Sequence, residues 1–286
     1  MRTLLRYGYV PLIGGLATLA IWLAGHNSPR PSVALVVAAG IVASFTAERI
    51  LPADPIWNQD QGDSGRDVLH TVVNESLTAI SLALLPVLSA FTIIDAWPDQ
   101  WPFPLQVAAA ILVFDLGITL AHLASHRIEV LWRFHAVHHS IRRLYGLNGL
   151  MKHPIHQLIE TTAGITPLLL IGISEPVTVA LAACVALQLL LQHSNVDYRV
   201  GAFGRILALN AGHRLHHLRW PGVGDVNFGL FTLIWDRMLG TYTPPGPTVT
   251  TDQLGIAAQP DYPTRYLLQL TEPFRHRRPA GESARC

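Results

Sequence analysis

Two long apolar runs open the chain, from Tyr7 to Ala24 and from Val33 to Leu51. Each is about long enough for a helix to cross a hydrocarbon core of roughly 30 Å. No water inside a bilayer can satisfy a bare backbone, so runs of this kind fold as helices. Half of the 286 residues are hydrophobic and 14% are charged. With a mean hydropathy of +0.33, this is the profile of a membrane protein. Arg2 and Arg6 ahead of the first run have the look of a signal peptide. The run is nevertheless long enough to span, and no small-residue cleavage signal opens onto a polar mature chain. The Ser-Pro-Arg-Pro turn at 28–31 joins the two runs into a transmembrane hairpin.

Residues 52–75 are polar and contain Pro, Gly and Asp, as expected of a loop. Apolar segments resume at 76–94 and 104–123, separated by DAWPDQWPFP, whose Trp97 and Trp101 suit an interfacial belt. A further apolar stretch, 158–173 and 177–192, breaks at Gly-Ile-Ser-Glu-Pro and is bracketed by His153 and His193. If both histidines share a face, it is a helical hairpin dipping into or across the membrane. The expected fold is all-α: a multi-pass integral membrane protein with four to six membrane helices. Three regions follow: an N-terminal hairpin and loop at 1–75, a histidine-bearing region at 76–243, and a polar, Pro-containing tail at 244–286. The tail's basic patch, Arg275, His276, Arg277 and Arg278, suits an anionic lipid surface.

In a four-span count Arg2, Arg6, Arg49, Arg66, Arg127, Arg133, Arg142, Arg143 and Lys152 all fall on one side. The loop at 25–32 has only Arg30, and the loop at 95–103 has no Lys or Arg. The positive-inside rule places both termini and the histidines in the cytoplasm, as for a bacterial inner-membrane protein. Net charge is +1, with no zinc-finger spacing and no basic stripe interleaved with aromatics, so nucleic acid is not an expected partner. Cys184 and Cys286 make neither a disulfide framework nor a thiolate metal site. Any metal must therefore be held by nitrogen or oxygen.

Eleven of the fourteen histidines lie between His122 and His217. His122 and His126 stand four apart, which puts two imidazoles on one helical face roughly 5–6 Å apart at Cβ. A zinc-peptidase helix would need Glu after the first histidine, where this chain has Leu123. His135, His138 and His139 occupy i, i+3 and i+4, and His213, His216 and His217 repeat that H-x-x-H-H pattern. With His153 and His193 the set reaches ten candidate ligands, too many for one ion and suited to two. Imidazole suits iron but leaves zinc open; an oxidation-competent iron pair accounts best for so many nitrogens. His26, His70 and His276 are expected to be lone loop or surface residues, and His156, on another face from His153, a residue behind a ligand.

At these residues the chain resembles the fatty acid hydroxylase and sterol desaturase superfamily of membrane di-iron oxidases. The likeness begins at Asp115 and runs through HLASHR at 122–127, WRFHAVHHS at 132–140 and HP at 153–154. It continues through QHSN at 192–195 and GHRLHH at 212–217, and closes on NFGLFTLIWDRMLGTY at 227–242. The resemblance implies a cytoplasmic helical cap that holds two irons, through the ten histidines, at the membrane surface. It also implies O2 as co-substrate and hydroxylation or desaturation of a lipid-like substrate at an unactivated C–H bond. Sterol, fatty acyl, carotenoid and ether lipid are all open. Many relatives carry an acidic residue near the position of His156; here Glu160, one turn beyond, stands in its place. Asp115, seven residues before His122, is either a residue that orients a ligand ring or a buried polar group. No flavin, haem or iron–sulfur segment is legible, so electrons are expected from a separate reductase, ferredoxin or cytochrome. The competing reading is a non-redox metal-binding membrane protein or transporter. Transporters, however, place ionisable groups near the midplane, whereas these histidines gather at helix ends.

Overall fold

The computed structural model describes residues 2–275 apart from 27, 89, 91 and 247, with only the backbone at 86 and 88. His276, Arg277, Arg278 and Cys286 therefore lie outside the described residues. The apolar runs at the N-terminus form α1 (Arg2–Gly25) and α2 (Arg30–Ile50), and Pro31 sits in the first turn of α2, where its missing N–H costs nothing. Next come α3 (Ser64–Ala83) and the short α4 (Leu85–Leu88). The long α5 (Phe103–Arg127) is followed by α6 (Glu129–His139), α7 (Pro154–Leu170) and α8 (Glu175–His193). Three short helices follow among the described residues: α9 (Asn210–His216), α10 (Ile234–Leu239) and α11 (Tyr266–Thr271). Among the described residues extended pairing is limited to isolated bridges such as Leu207 with Thr232.

Among the described residues four helices, α1, α2, α5 and α8, are long and apolar enough to cross a membrane. The number falls within the expected four to six, but one member differs. The run expected to span at 76–94 does not make a continuous helix. Its helix, α3, starts twelve residues earlier, inside the segment expected to be a loop, and ends at Ala83. The cause is a polar stripe at helical spacing, Arg66, Asp67, His70 and Asn74, which is buried against the cap. Asn74 donates to the Leu150 and Lys152 carbonyls, and Asp67 accepts from Tyr145 and Asn148. His70, expected in a loop, is buried between the Lys152 carbonyl and Gln269.

Elements α7 and α8 form the expected hairpin, turning at 171–174. Helices α5, α7 and α8 enclose a core of Val107, Ala110, Phe114, Ile118, Leu168 and Leu181. The α5–α7 approach depends on Gly117, where a Cβ would overlap the Ala163 carbonyl, and on Gly164, which lies against the Phe114 ring. Gly117→Val is expected to cost about 1–3 kcal/mol through overpacking, read as a lower thermal midpoint in detergent.

The bundle has two distinct ends. At one, Ile93 and Ala96 donate to the Leu170 and Ile171 carbonyls, Arg30 pairs with Glu175, and Gly25 meets Phe103. Trp97 is buried there, donating to Gln106, while Trp101 remains exposed as a belt residue would. At the other end the N-terminus, the end of α2 and the histidine-bearing segments converge: Glu48 accepts from the Gly146 and Asn195 amides, and Arg199 donates to the Arg6 carbonyl. A cap covers this end. Its core joins Trp57, Val137, Ile141, Leu144 and Met151 to Val249, Leu254, Ile256 and Tyr262. The described part of the segment expected as a tail is thus built into the cap, with Trp57 donating to Thr251.

Candidate metal centre

The histidines meet where the last turn of α5, helix α6, the end of α8 and helix α9 converge under the cap. Their imidazoles form two groups. His122, His126, His135, His139 and His216 make the first; His138, His193, His213 and His217 make the second. Within each group the ligand nitrogens all lie within 4.8 Å of one another. The two H-x-x-H-H motifs divide in opposite senses. In α6, His135 and His139 turn to the first group and His138 to the second; at α9, His213 and His217 join the second and His216 the first. The two groups are adjacent, with the rings of His139 and His217 4.9 Å apart and those of His213 and His216 stacked at 5.1 Å.

Backbone carbonyls and one carboxylate fix which nitrogen faces inward. His122 Nδ1 donates to the Phe228 carbonyl at 2.9 Å, and His216 Nδ1 to that of Val226 at 3.0 Å. His138 and His193 donate through Nδ1 to Met151 and Leu189, and His126 to the Asp225 carboxylate at 2.7 Å. Since these oxygens can only accept, each ring keeps its proton on Nδ1 and aims an Nε2 lone pair inward. In these five rings Nε2 therefore brings no proton of its own to its close contacts with neighbouring Nε2 atoms. In the first group His122–His135 is 3.1 Å, His135–His139 2.9 Å and His126–His139 3.2 Å. In the second, His138–His193 is 3.4 Å, His193–His213 2.9 Å and His213–His217 3.1 Å. A metal bonded to nitrogen at about 2.0–2.1 Å separates neighbouring ligands by roughly 3.0–3.4 Å, so the donor sets fit a cation in each group. His216 Nε2 is buried with no hydrogen-bond partner, as a nitrogen intended for a metal would be. Burial, reinforced by neighbouring imidazoles, holds His135, His138, His139, His213, His216 and His217 well below the ordinary histidine range. They are neutral and ready to coordinate.

Nine of the ten expected ligands are thus brought together, and His153 is not. It stands at the N-terminus of α7, followed by Pro154, and its ring folds back to accept from the Ile155 amide. Its other nitrogen meets the Leu270 carbonyl, and Phe134 packs on its face. His156 instead reaches the first group, its Nε2 2.7 Å from His135 Nδ1. Glu160 lies 3.2 Å behind it, with its second oxygen 2.5 Å from Lys152 Nζ.

Asp115 touches no ligand ring. Its carboxylate accepts from the amides of Leu230, Phe231 and Thr232 and from the Thr232 hydroxyl, at 2.8–3.0 Å. Asp236 accepts from the Phe228 and Gly229 amides. Together the two buried acids hold the 228–232 segment whose Phe228 carbonyl orients His122. Gly229 is required there, because a Cβ would overlap the Thr232 carbonyl. Asp225, 99 residues from His126, has no spacing that could reveal it in the sequence. Its carboxylate is held below the usual range by the hydrogen bond from His126. Asp225→Asn is expected to weaken metal retention about 10–100-fold, measured by competition with a chelator.

A narrow cleft runs between α5, α7 and α8 to the histidines. Phe114, Ile118, Val185 and Leu189 form its apolar walls; Lys152, Glu160 and Thr161 lie on the polar side. His122, His138, His193 and His213 line its inner end, next to Phe228.

The relatives found by comparison are consistent with such a site. An ornithine lipid hydroxylase, OlsE, of Rhizobium tropici is 34% identical over 254 residues, covering 85% of this chain and 75% of its own. An alkylglycerol monooxygenase of Danio rerio is 32% identical over 151 residues, 52% of this chain and 32% of the relative. Sphinganine C4-monooxygenase 1 of Arabidopsis thaliana is 26% identical over 143 residues, 49% and 54% of the two chains. No solved structure matches the chain. These relatives are enzymes of lipid oxidation, and residues 107–241 match the fatty acid hydroxylase family. A shared family region, an extended likeness to a lipid hydroxylase and a histidine centre built from the family segment together place this chain in the fatty acid hydroxylase family.

Proposed function

We propose that the chain is an O2-dependent hydroxylase that uses two iron ions to insert oxygen into an unactivated C–H bond of a lipid with a long alkyl or acyl chain. The observation that carries this reading is the convergence of nine imidazoles in two adjacent groups, with His122, His138, His193 and His213 lining a cleft that has apolar side chains along one wall. Hydroxylation is favoured over desaturation because the relatives described above are named as hydroxylases and monooxygenases.

An iron pair held there would supply electrons for O2 cleavage and the oxidising power to break an aliphatic C–H bond. The chain's own part is positional. The first group would hold one ion through His122, His126, His135, His139 and His216, the second through His138, His193, His213 and His217. Phe114, Ile118, Val185 and Leu189 bind the alkyl chain and keep water from the reacting carbon. Phe228 and the ligand rings set how far the chain can enter, and hence which carbon lies within reach. Because the cleft lies among α5, α7 and α8, a lipid can enter it from the bilayer. Ile118→Trp is expected to raise KM for a long-chain lipid several-fold while bound metal stays unchanged.

The sidedness we infer is the one expected from the sequence. Arg6, Arg49, Arg127, Arg142 and Lys152 belong to the histidine end, and Arg30 to the opposite end. This supports a cytoplasmic centre, where a separate reductase, ferredoxin or cytochrome can supply electrons. The test is expression with a candidate lipid pool under 18O2. The hydroxylase reading expects a lipid that gains one oxygen atom from O2; a lipid that gains only a double bond, or no altered lipid, contradicts it.

A further inference from the structure

Two aromatic side chains other than histidine pack directly on the first group's rings, and they differ in setting and in chemistry. Phe228, fully buried, meets His122, His126 and His216 at 5.0–5.3 Å and lines the substrate cleft. Trp132, from α6, meets His126 at 5.2 Å, His139 at 5.4 Å and His135 at 6.0 Å. It is only partly buried, and it packs with Leu218 and Val226 against the cap core rather than in the cleft. The centre thus has a chemically inert ring on its substrate side and an oxidisable indole, reaching the protein surface, on the cap side.

We propose that Trp132 is an electron relay that discharges the centre when O2 has been activated and no lipid occupies the cleft. The proposal rests on the oxidase reading above. In each step one electron passes from the indole to the oxidised metal pair, and the indole N–H proton leaves to water, producing a neutral indolyl radical. A soluble thiol then returns one hydrogen atom to the indole. Two such steps, with the two electrons and two protons already taken from the reductase, give the balance O2 + 2 e⁻ + 2 H⁺ + 2 RSH → 2 H2O + RSSR. The buried ligand imidazoles are thereby spared an oxidant that has no C–H bond to attack. A phenyl ring at 132 would fill much of the same space and could not release the electron.

The experiment uses the full-length, iron-loaded protein in detergent without lipid, reduced with dithionite, freed of excess reductant and exposed to O2 through repeated cycles. Three readouts are taken: the mass of the peptide carrying Trp132, the radical signal in freeze-quenched samples, and the number of cycles before O2 uptake is lost. The expected result is a gain of one or two oxygen atoms at Trp132 ahead of the other tryptophans, absent from metal-free protein and suppressed by dithiothreitol, which is converted to its disulfide. Trp132→Phe should complete several-fold fewer cycles, and Trp132→Tyr, again oxidisable, should recover most of them. Metal content, measured on each variant before cycling, separates a relay defect from a packing defect. O2 uptake with Trp132 unmodified, and with Trp132→Phe lasting as long as the parent, overturns the relay alone. Failure of the parent protein to take up O2 overturns the oxidase reading and the relay with it.

Discussion

Replacing His138 by alanine is expected to remove the metal of the second group while leaving the first, so that bound metal falls to about one ion per chain and hydroxylation to below about one hundredth of the parent rate. The magnitude follows from what lesser changes cost: losing a group merely behind a ligand typically lowers metal affinity or activity about 10–100-fold. His216→Ala should do the converse. That residue is the first group's contribution from α9, and its inward nitrogen has no other partner. The pair of variants distinguishes two sites from one, because a single site sharing all nine rings would lose its metal entirely or not at all in both. Metal analysis of the two purified proteins reads the difference directly.

Asp115→Ala is expected to have a comparably large effect without touching a ligand. Its carboxylate is the acceptor for three successive backbone amides, one buried and two partly buried, and for a partly buried hydroxyl. Removing it strands those donors at about 1–3 kcal/mol each, so the loss, after partial relaxation, is roughly 3–5 kcal/mol. The thermal midpoint in detergent should fall by more than about 5 °C. The 228–232 segment would also release the carbonyl that fixes the His122 proton on Nδ1. Metal retention should therefore fall together with stability. Asp115→Asn, which keeps one acceptor oxygen, should lie between parent and alanine.

Much of this site was legible in the sequence because its ligands sit on helices at helical spacing. His122 with His126, and the two H-x-x-H-H motifs, need only the 3.6-residue period to converge, and the structure brings all eight of them and His193 together. His153 departs because local chemistry competes with coordination: a ring just before a proline, at the start of a helix, can satisfy a free backbone amide instead. Asp225 was beyond reach, since a partner 99 residues away in a loop leaves no periodic trace. Asp115 was legible as a buried acid on the right face, but not in its role, which depends on where the 228–232 segment passes.

The membrane helices were read with similar success and one revealing error. Hydropathy located α1, α2 and α5, whose apolar character extends around most of the helix. It failed at 76–94, because a window average does not register that Asp67, His70 and Asn74, just upstream, need buried partners in the cap and draw the helix N-terminally. The segment after 244 likewise appears polar by composition. Val249, Leu254, Ile256 and Tyr262 are nevertheless spaced to fill the cap core through turns and short helices that have no single period.

Iron and zinc per chain, measured on full-length protein from iron-replete cells and followed through reduction and re-exposure to O2, test the two-iron centre most directly. Two irons that reduce with dithionite and are reoxidised by O2 are expected. One metal ion per chain, or two that do not undergo reduction, would contradict it.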